Sequence, residues 1–160
     1  MLVAAAPALT SCGADGFKPL YGATASGVGV EQRLAKVDFS PIPGRVGQRI
    51  RNELVFQTAS GGAPAHRLEI ALKESLTSTL VRVDGDAAGQ IYAVEASFRL
   101  LDVNSKQVIF QGTSVARAGF ERFSSVYSNV RAREDAENRV AKTIAEDIKT
   151  RLATYLSREA

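Results

Sequence analysis

The chain has 160 residues, 45% of them hydrophobic and 23% charged, which suits one ordinary globular domain with a real core and argues against disorder. Its net charge of +3 is too mild to predict nucleic-acid binding, and one Cys and one His exclude an internal disulfide, a thiolate metal site and a multi-histidine site. No run reaches the ~18 apolar residues that a membrane-spanning helix needs, so membrane association must come through a lipid or a partner.

The chain opens on a short apolar run, Met1 to Ala8, followed by Leu9-Thr10-Ser11-Cys12. An apolar residue, two small residues and Cys resemble the lipobox of bacterial lipoproteins. That resemblance implies cleavage before Cys12 and lipid attachment on it. Residues 1–11 are then a signal segment. It carries no Lys or Arg before its apolar core and is expected to be N-terminally incomplete. Residues 12–29 follow as the lipidated Cys and a Gly-rich tether, and residues 30–160 as a single domain. Within the tether, Phe17-Lys18-Pro19-Leu20-Tyr21 reads as an extended, docked segment.

Val30 to Phe39 shows apolar alternation at Leu34, Val37 and Phe39 and reads as an edge strand stopped by Pro41 and Pro43. A helix is expected from Pro43-Gly44 to about Thr58. Val46, Ile50 and Leu54 form its apolar stripe, and Ser60 to Pro64 end it. The next strand region alternates at Leu68, Ile70 and Leu72. It blurs at Glu74 to Thr77, where a bulge is expected, and runs to Val83 before an Asp84-Gly85-Asp86-Ala87 turn.

The clearest strand follows, with Tyr92, Val94, Ala96, Phe98 and Leu100 on one face and Glu95, Ser97 and Arg99 on the other. Asp102 to Lys106 makes a hairpin connection, and Val108, Phe110 and Gly112 return as a strand to about Ala118. Gly112 points to a bulge or a close backbone approach. Phe120 to Tyr127 reads as an aromatic–Ser link. From Asn129 to Ser157 there is no Gly or Pro, and Ala136, Val140, Ile144, Ile148 and Leu152 recur at four. That is a long amphipathic helix lying on a sheet.

The expected order is β-α-β-β-β-α. It makes an α+β two-layer sandwich, a four-stranded, mainly antiparallel sheet with two helices on one face.

Reactive constellations are few. Asp84/Asp86 flank a turn Gly, Glu134/Asp135/Glu137 lie on a solvated helix face, and His66 reads as a loop or edge residue. Gly27-Val28-Gly29 lacks the strand and the Lys-Ser/Thr of a phosphate loop. The expectation is a protein that is not an enzyme and has no cofactor or metal. Arg82, Arg99, Lys106 and Arg117, with Arg122 beside them, are candidates for a basic edge that meets lipid phosphates.

Several motifs point one way: the lipobox, Phe17-Lys18-Pro19-Leu20-Tyr21 soon after it, and Ile42-Pro43-Gly44-Arg45-Val46-Gly47-Gln48 leading into Arg51-Asn52-Glu53-Leu54. A meander and a helix carrying Asp135-Ala136 and Ala145-Glu146-Asp147-Ile148 follow. Together they resemble the lipopolysaccharide-assembly lipoprotein family, LptE, in its alphaproteobacterial form. The resemblance implies a lipid-anchored protein on the periplasmic side of the outer membrane. It implies a partner, the LptD β-barrel, whose lumen it plugs, and a role in lipopolysaccharide transport to the outer leaflet. It leaves open another reading, an auxiliary lipoprotein of a different envelope lipid-transport system.

Overall fold

Residues 29–59, 61–81 and 87–158 are described by the computed structural model. Cys12, the tether segment 12–28, Arg82 and the Asp84-Gly85-Asp86 turn lie outside them. The elements in order are α1 (Val30–Leu34), β1 (Val37–Phe39), α2 (Gly44–Thr58), β2 (His66–Val81), β3 (Ala87–Asp102), β4 (Val108–Glu121) and α3 (Val126–Arg158).

The four strands form one sheet in the order β1-β2-β3-β4. β1 pairs parallel to β2 from Val37↔His66 to Phe39↔Leu68, and α2 supplies the crossover that parallel pairing requires. β2, β3 and β4 are an antiparallel meander. The expected α+β sandwich is therefore present, with its sheet order now fixed.

The β3 alternation sets the layers. Tyr92, Val94, Ala96, Phe98 and Leu100 are all buried, while Glu95, Ser97 and Arg99 face outward. Onto the buried face α2 lays Val46, Ile50 and Leu54, and α3 lays Val140, Ile144, Ile148 and Leu152. Burying each such side chain is worth about 1.5–3 kcal/mol. Gly112 pairs with Phe98, and a Cβ there would lie 2.8 Å from Phe98 Cζ, so the glycine makes room for the Phe98 ring and not for the expected bulge or backbone approach. Beside it Phe110 stacks on Tyr155 of α3 at a centroid distance of 4.7 Å.

Three expectations need correction. Val30 to Leu34 is a helical turn, not strand, and β1 is only three residues long. Val30 and Leu34 stand four apart, so one turn buries both, and the Arg33 guanidinium donates to the Leu156 carbonyl of α3. Second, β2 has no bulge at Glu74 to Thr77. Its register with β3 is unbroken from His66↔Asp102 to Ser78↔Gln90 and shifts only at Ser78/Leu80 and Leu80/Val81. The hydrophobic pattern blurs there because residues 73–79 run past the helical layer and are exposed on both faces. Third, β4 continues to Glu121 and α3 begins at Val126, so both ends of the expected aromatic link are regular structure. Asn129 holds the corner: its Oδ1 accepts from the Phe123 N–H at 2.6 Å, and its Nδ2 donates to the Phe123 carbonyl at 2.8 Å.

At the opposite end, Asp102 Oδ1 accepts from the Ser105 N–H at 2.7 Å, the Ser105 hydroxyl at 3.0 Å and the Asn104 N–H at 3.0 Å. These bonds, led by the Ser105 backbone N–H, hold the Asp102 carboxyl below its usual range. They close the β3–β4 hairpin, with Lys106 in a left-handed conformation at φ 57°.

Candidate functional site

The Pro-Gly-Arg-x-Gly start of α2 builds a polar cluster. Pro41 and Pro43 end the β1 ladder because they lack N–H donors. Gly44 then takes φ 82°, which favours glycine, and turns the chain into the helix. Gly47 sits against Ile42, where a Cβ would lie 2.6 Å from Ile42 Cγ2. That tight seat brings α2 beside α3. Arg45 donates to Glu137 Oε2, and Arg133 Nε donates to Glu137 Oε1 at 3.0 Å. Arg49 Nε meets Asn138 Oδ1 at 3.1 Å.

Glu137 is buried, with its carboxylate held between two guanidiniums that are each about half exposed. Nearby, the Tyr92 hydroxyl donates to Glu74 Oε2 at 2.5 Å. Burial first, and then this bond to a carboxylate, push the Tyr92 phenol well above its ordinary range. With the Glu74 carboxylate counted, Arg45 and Arg133 are balanced by Glu74 and Glu137, and Arg49 adds a positive charge beside them.

Along α3 the same surface turns apolar. Val126, Tyr127 and Val130 stand at i, i+1 and i+4 and are exposed by 79, 73 and 51%, with Phe123, 51% exposed, in the corner just before the helix. Arg133 follows three positions after Val130, so the apolar stripe and the arginine cluster adjoin on one helix. Exposed large apolar groups in a row are unusual on a protein surface and mark interaction sites.

The basic edge expected from the sequence is not brought together. Arg99 and Arg117 do lie on the outward sheet face, as alternation requires. Arg117 stands opposite Ala93 and Arg99 opposite Gln111. Six positions along β3 therefore separate them, about 20 Å at ~3.4 Å per residue. Arg99 is also engaged, its guanidinium 3.0 Å from Glu69 Oε2. Lys106 sits past the hairpin turn at the Arg99 end. Arg82 lies outside the described residues.

Sequence reading missed the Arg45–Glu137–Arg133 cluster. The spacing Arg133-x-x-x-Glu137 was visible, but Arg45 joins it only through the α2–α3 packing. Among the described residues no group of three or more His, Cys, Asp or Glu side chains is placed to hold a metal. His66 opens β2, and its Nδ1 is buried without a hydrogen-bond partner among them.

The family model LptE, Lipopolysaccharide-assembly, matches residues 32–152. The chain belongs to the LptE family. No curated protein matches it. Among solved structures, a lipoprotein from Caulobacter crescentus CB15 superposes with a TM-score of 0.71 and is 25% identical, covering 83% of this chain and 98% of that one. Rare lipoprotein B from Shewanella oneidensis gives a TM-score of 0.58 at 10% identity over 78% of this chain and 98% of that one. A minor lipoprotein from Acinetobacter baumannii gives 0.54 at 11% identity, over 75% and 92% of the two chains. The last two show a shared fold. This LptE-family chain is accordingly an outer-membrane lipoprotein.

Proposed function

We propose that this LptE-family protein is anchored by a lipid on Cys12 at the periplasmic face of the outer membrane, binds and plugs an LptD β-barrel, and assists lipopolysaccharide transport to the outer leaflet. The family match over residues 32–152 carries the reading. Its alphaproteobacterial form is supported by the 25% identity to the Caulobacter crescentus lipoprotein, against 10% and 11% for those of Shewanella and Acinetobacter.

The physical surface suits the role. Among the described residues no helix is long and apolar enough to cross a membrane, so attachment falls to a lipid or a partner. The outward sheet face carries Arg67, Glu69, Lys73, Glu95, Arg99 and Arg117, a mixed polar surface compatible with a water-filled barrel lumen.

Lipopolysaccharide is acylated and phosphorylated, so its binding needs cations beside apolar surface. Arg82, Arg99, Lys106 and Arg117 remain candidate phosphate contacts. Of these, Arg99 has to exchange Glu69 for the ligand. The Arg45–Arg49–Arg133 cluster beside Tyr127 and Val130 offers both chemistries on adjoining turns, and there Arg45 and Arg133 have to exchange Glu137 for the ligand.

The test is affinity capture of tagged full-length protein from detergent-solubilised envelopes, with mass spectrometry of what co-purifies. A large outer-membrane β-barrel in near-equal amount supports the proposal. An inner-membrane transport subunit in its place assigns the chain to another lipid-transport system. Cys12→Ala is expected to release the protein from membranes yet leave barrel capture intact. Loss of capture on that substitution would overturn the plug reading.

A further inference from the structure

β4 is the last strand on its side of the sheet, and β3 is its one strand neighbour. The hairpin sets which of its backbone groups meet β3. The Asp102 N–H donates to the Gln107 carbonyl at 3.0 Å, and the Lys106 N–H donates to the Asp102 carbonyl at 2.9 Å. The even residues of β3 therefore turn their backbone groups toward β4. Successive residues of an antiparallel strand face alternate sides, and the register from Leu100↔Phe110 to Gln90↔Phe120 is unbroken. The even residues of β4 thus bond β3, and Gln111, Thr113, Val115, Arg117 and Gly119 turn their N–H and C=O groups to the open side. Arg139 of α3 reports the same parity, because its guanidinium donates to the Gly119 carbonyl at 3.0 Å. From Gln111 to Arg117 these groups have no partner among the described residues.

That open run is about 24 Å long at ~3.4 Å per residue. Proteins blunt such edges with proline, bulges or charge. This run has no Pro, and Arg117 is its one charged residue. The irregularity of the β3–β4 ladder falls before it, at Leu100/Leu101. At the Phe110 end a hollow of about 320 Å3 adjoins the edge, lined by Phe110, Thr150, Arg151, Thr154, Tyr155 and Arg158. The Phe110–Tyr155 stack makes one wall apolar. The Thr150 and Thr154 hydroxyls already donate to the carbonyls of Glu146 and Thr150. Arg151 is paired with Asp147, whereas Arg117 and Arg158 have no ion-pair partner among the described residues.

We infer that the β4 edge takes a fifth strand, an extended acidic segment of another protein. Its backbone pairs with Gln111 to Arg117, one large apolar side chain enters the Phe110–Tyr155 hollow, and its carboxylates meet Arg117 and Arg158. Strand addition of this kind draws affinity from main-chain bonds and specificity from side-chain pockets. Alternation sets the spacing. Phe110 lies on the helix-covered face and Arg117, seven positions on, lies on the open face. The apolar residue and the carboxylate opposite Arg117 therefore stand seven apart in the added strand. Charge selects a foreign segment over a second copy, which would bring the same unpaired Arg117 and Arg158 to an edge without carboxylates for them. The inference goes beyond the barrel assignment, and its test contains neither barrel nor membrane.

The probe is the synthetic peptide acetyl-Asp-Thr-Val-Thr-Val-Thr-Val-Phe-Asp-amide. It is titrated into isotopically labelled full-length protein in reducing buffer, and amide hydrogen exchange is read by NMR. At saturation the Gln111, Thr113, Val115 and Arg117 amides should exchange at least about tenfold more slowly. The Gly112, Ser114 and Ala116 amides, already bonded to β3, should not change. Lys in place of both Asp residues of the peptide should weaken binding at least about tenfold, as should Ser in place of its Phe. Arg117→Ala with Arg158→Ala should do the same from the protein side. N-methylation of alternate peptide residues removes donors without altering the protein, and should abolish the protection. No slowing up to about 1 mM peptide overturns the inference. Equal binding of the Lys peptide, or slowing centred on Ile70 to Ser78 of β2, overturns it as well. Slowing of the same alternate amides without peptide, growing with protein concentration, would give the edge to a second copy and overturn the acidic segment.

Discussion

Gly47→Ala decides between two opposed effects. Gly is less favourable than Ala in a helix interior by about 0.8–1.0 kcal/mol, so propensity alone predicts a more stable protein. The structure predicts the reverse. The new Cβ would stand 2.6 Å from Ile42 Cγ2, 2.9 Å from the Ile42 carbonyl oxygen and 3.0 Å from its carbon. Ordinary carbon contacts are ~3.5–4.0 Å, so the overlap approaches 1 Å. The Cγ2 can rotate away, but the carbonyl cannot, because Ile42 is buried and flanked by Pro41 and Pro43. Relief requires α2 to move off the sheet, and such overpacking costs about 1–3 kcal/mol, here at the upper end. The net expectation is a loss of about 2 kcal/mol, or a Tm lower by about 4–8 °C in a domain of this size. Circular dichroism during thermal and urea unfolding measures it. Gly61→Ala is the internal control, since its nearest neighbour would be Ala59 O at an ordinary 3.8 Å, and it should be neutral or slightly stabilising. An unchanged or raised Tm for Gly47→Ala would refute the seat that aligns α2 with α3.

Ala59 ends α2 in the left-handed region at φ 47°, a conformation glycine adopts without strain, so Ala59→Gly should stabilise by about 0.5–1 kcal/mol in the same unfolding assay. Tyr92 has a raised folded-state pKa, so its contribution is complete below the unfolded tyrosine value of about 10 and is lost as pH rises beyond it. Urea midpoints between pH 9 and pH 11 should therefore fall more steeply for the natural chain than for Tyr92→Phe; equal slopes would sink that assignment. Val126→Ser with Tyr127→Ser alters two exposed side chains, so stability should shift by less than about 0.5 kcal/mol per site while capture of the barrel or of lipopolysaccharide declines. Undiminished capture would remove the apolar stripe from the proposed contact.

What the sequence disclosed follows the range of each interaction. The even residues of β3 and the stripe of α2 were legible because a buried face imposes its own period on neighbouring residues. Val30 to Leu34 was misread because five residues fit either period, and the contact that decides, Arg33 on the Leu156 carbonyl, spans 123 positions. The start of α3 was hidden for a different reason. Val126, Tyr127 and Val130 sit on the first turns of the helix but stay half or more exposed, so they do not extend the core stripe that begins at Ala136. The candidate site shows the same limit. Alternation correctly put Arg99 and Arg117 on the wet face of the sheet, yet said nothing of the distance between them. Arg45 and Arg133, 88 positions apart in the chain, meet through one buried carboxylate.

The two ends of α3 then divide the labour that the proposal requires. α1 packs at the C-terminal end, where Arg33 reaches Leu156, and the chain from Cys12 arrives there through Gly29. The apolar stripe ends at Val130, and 26 positions of continuous helix separate it from Leu156, about 39 Å at 1.5 Å per residue. That span is longer than the ~30 Å hydrocarbon core of a bilayer. A domain held by its α1 end at the periplasmic leaflet therefore presents Tyr127, Val130 and the arginine cluster far from its own anchor. If the proposed lipid on Cys12 keeps the α1 end close to the membrane, the helix length fixes how deep the other end reaches into a barrel lumen. Lengthening the tether, by a Gly-Ser insertion between Gly22 and Val28, should then shift contacts at the far end of α3 without altering a residue there. Crosslinking from Tyr127 to the captured barrel, compared with and without that insertion, reads that coupling; identical crosslinks would show that the barrel alone sets the depth.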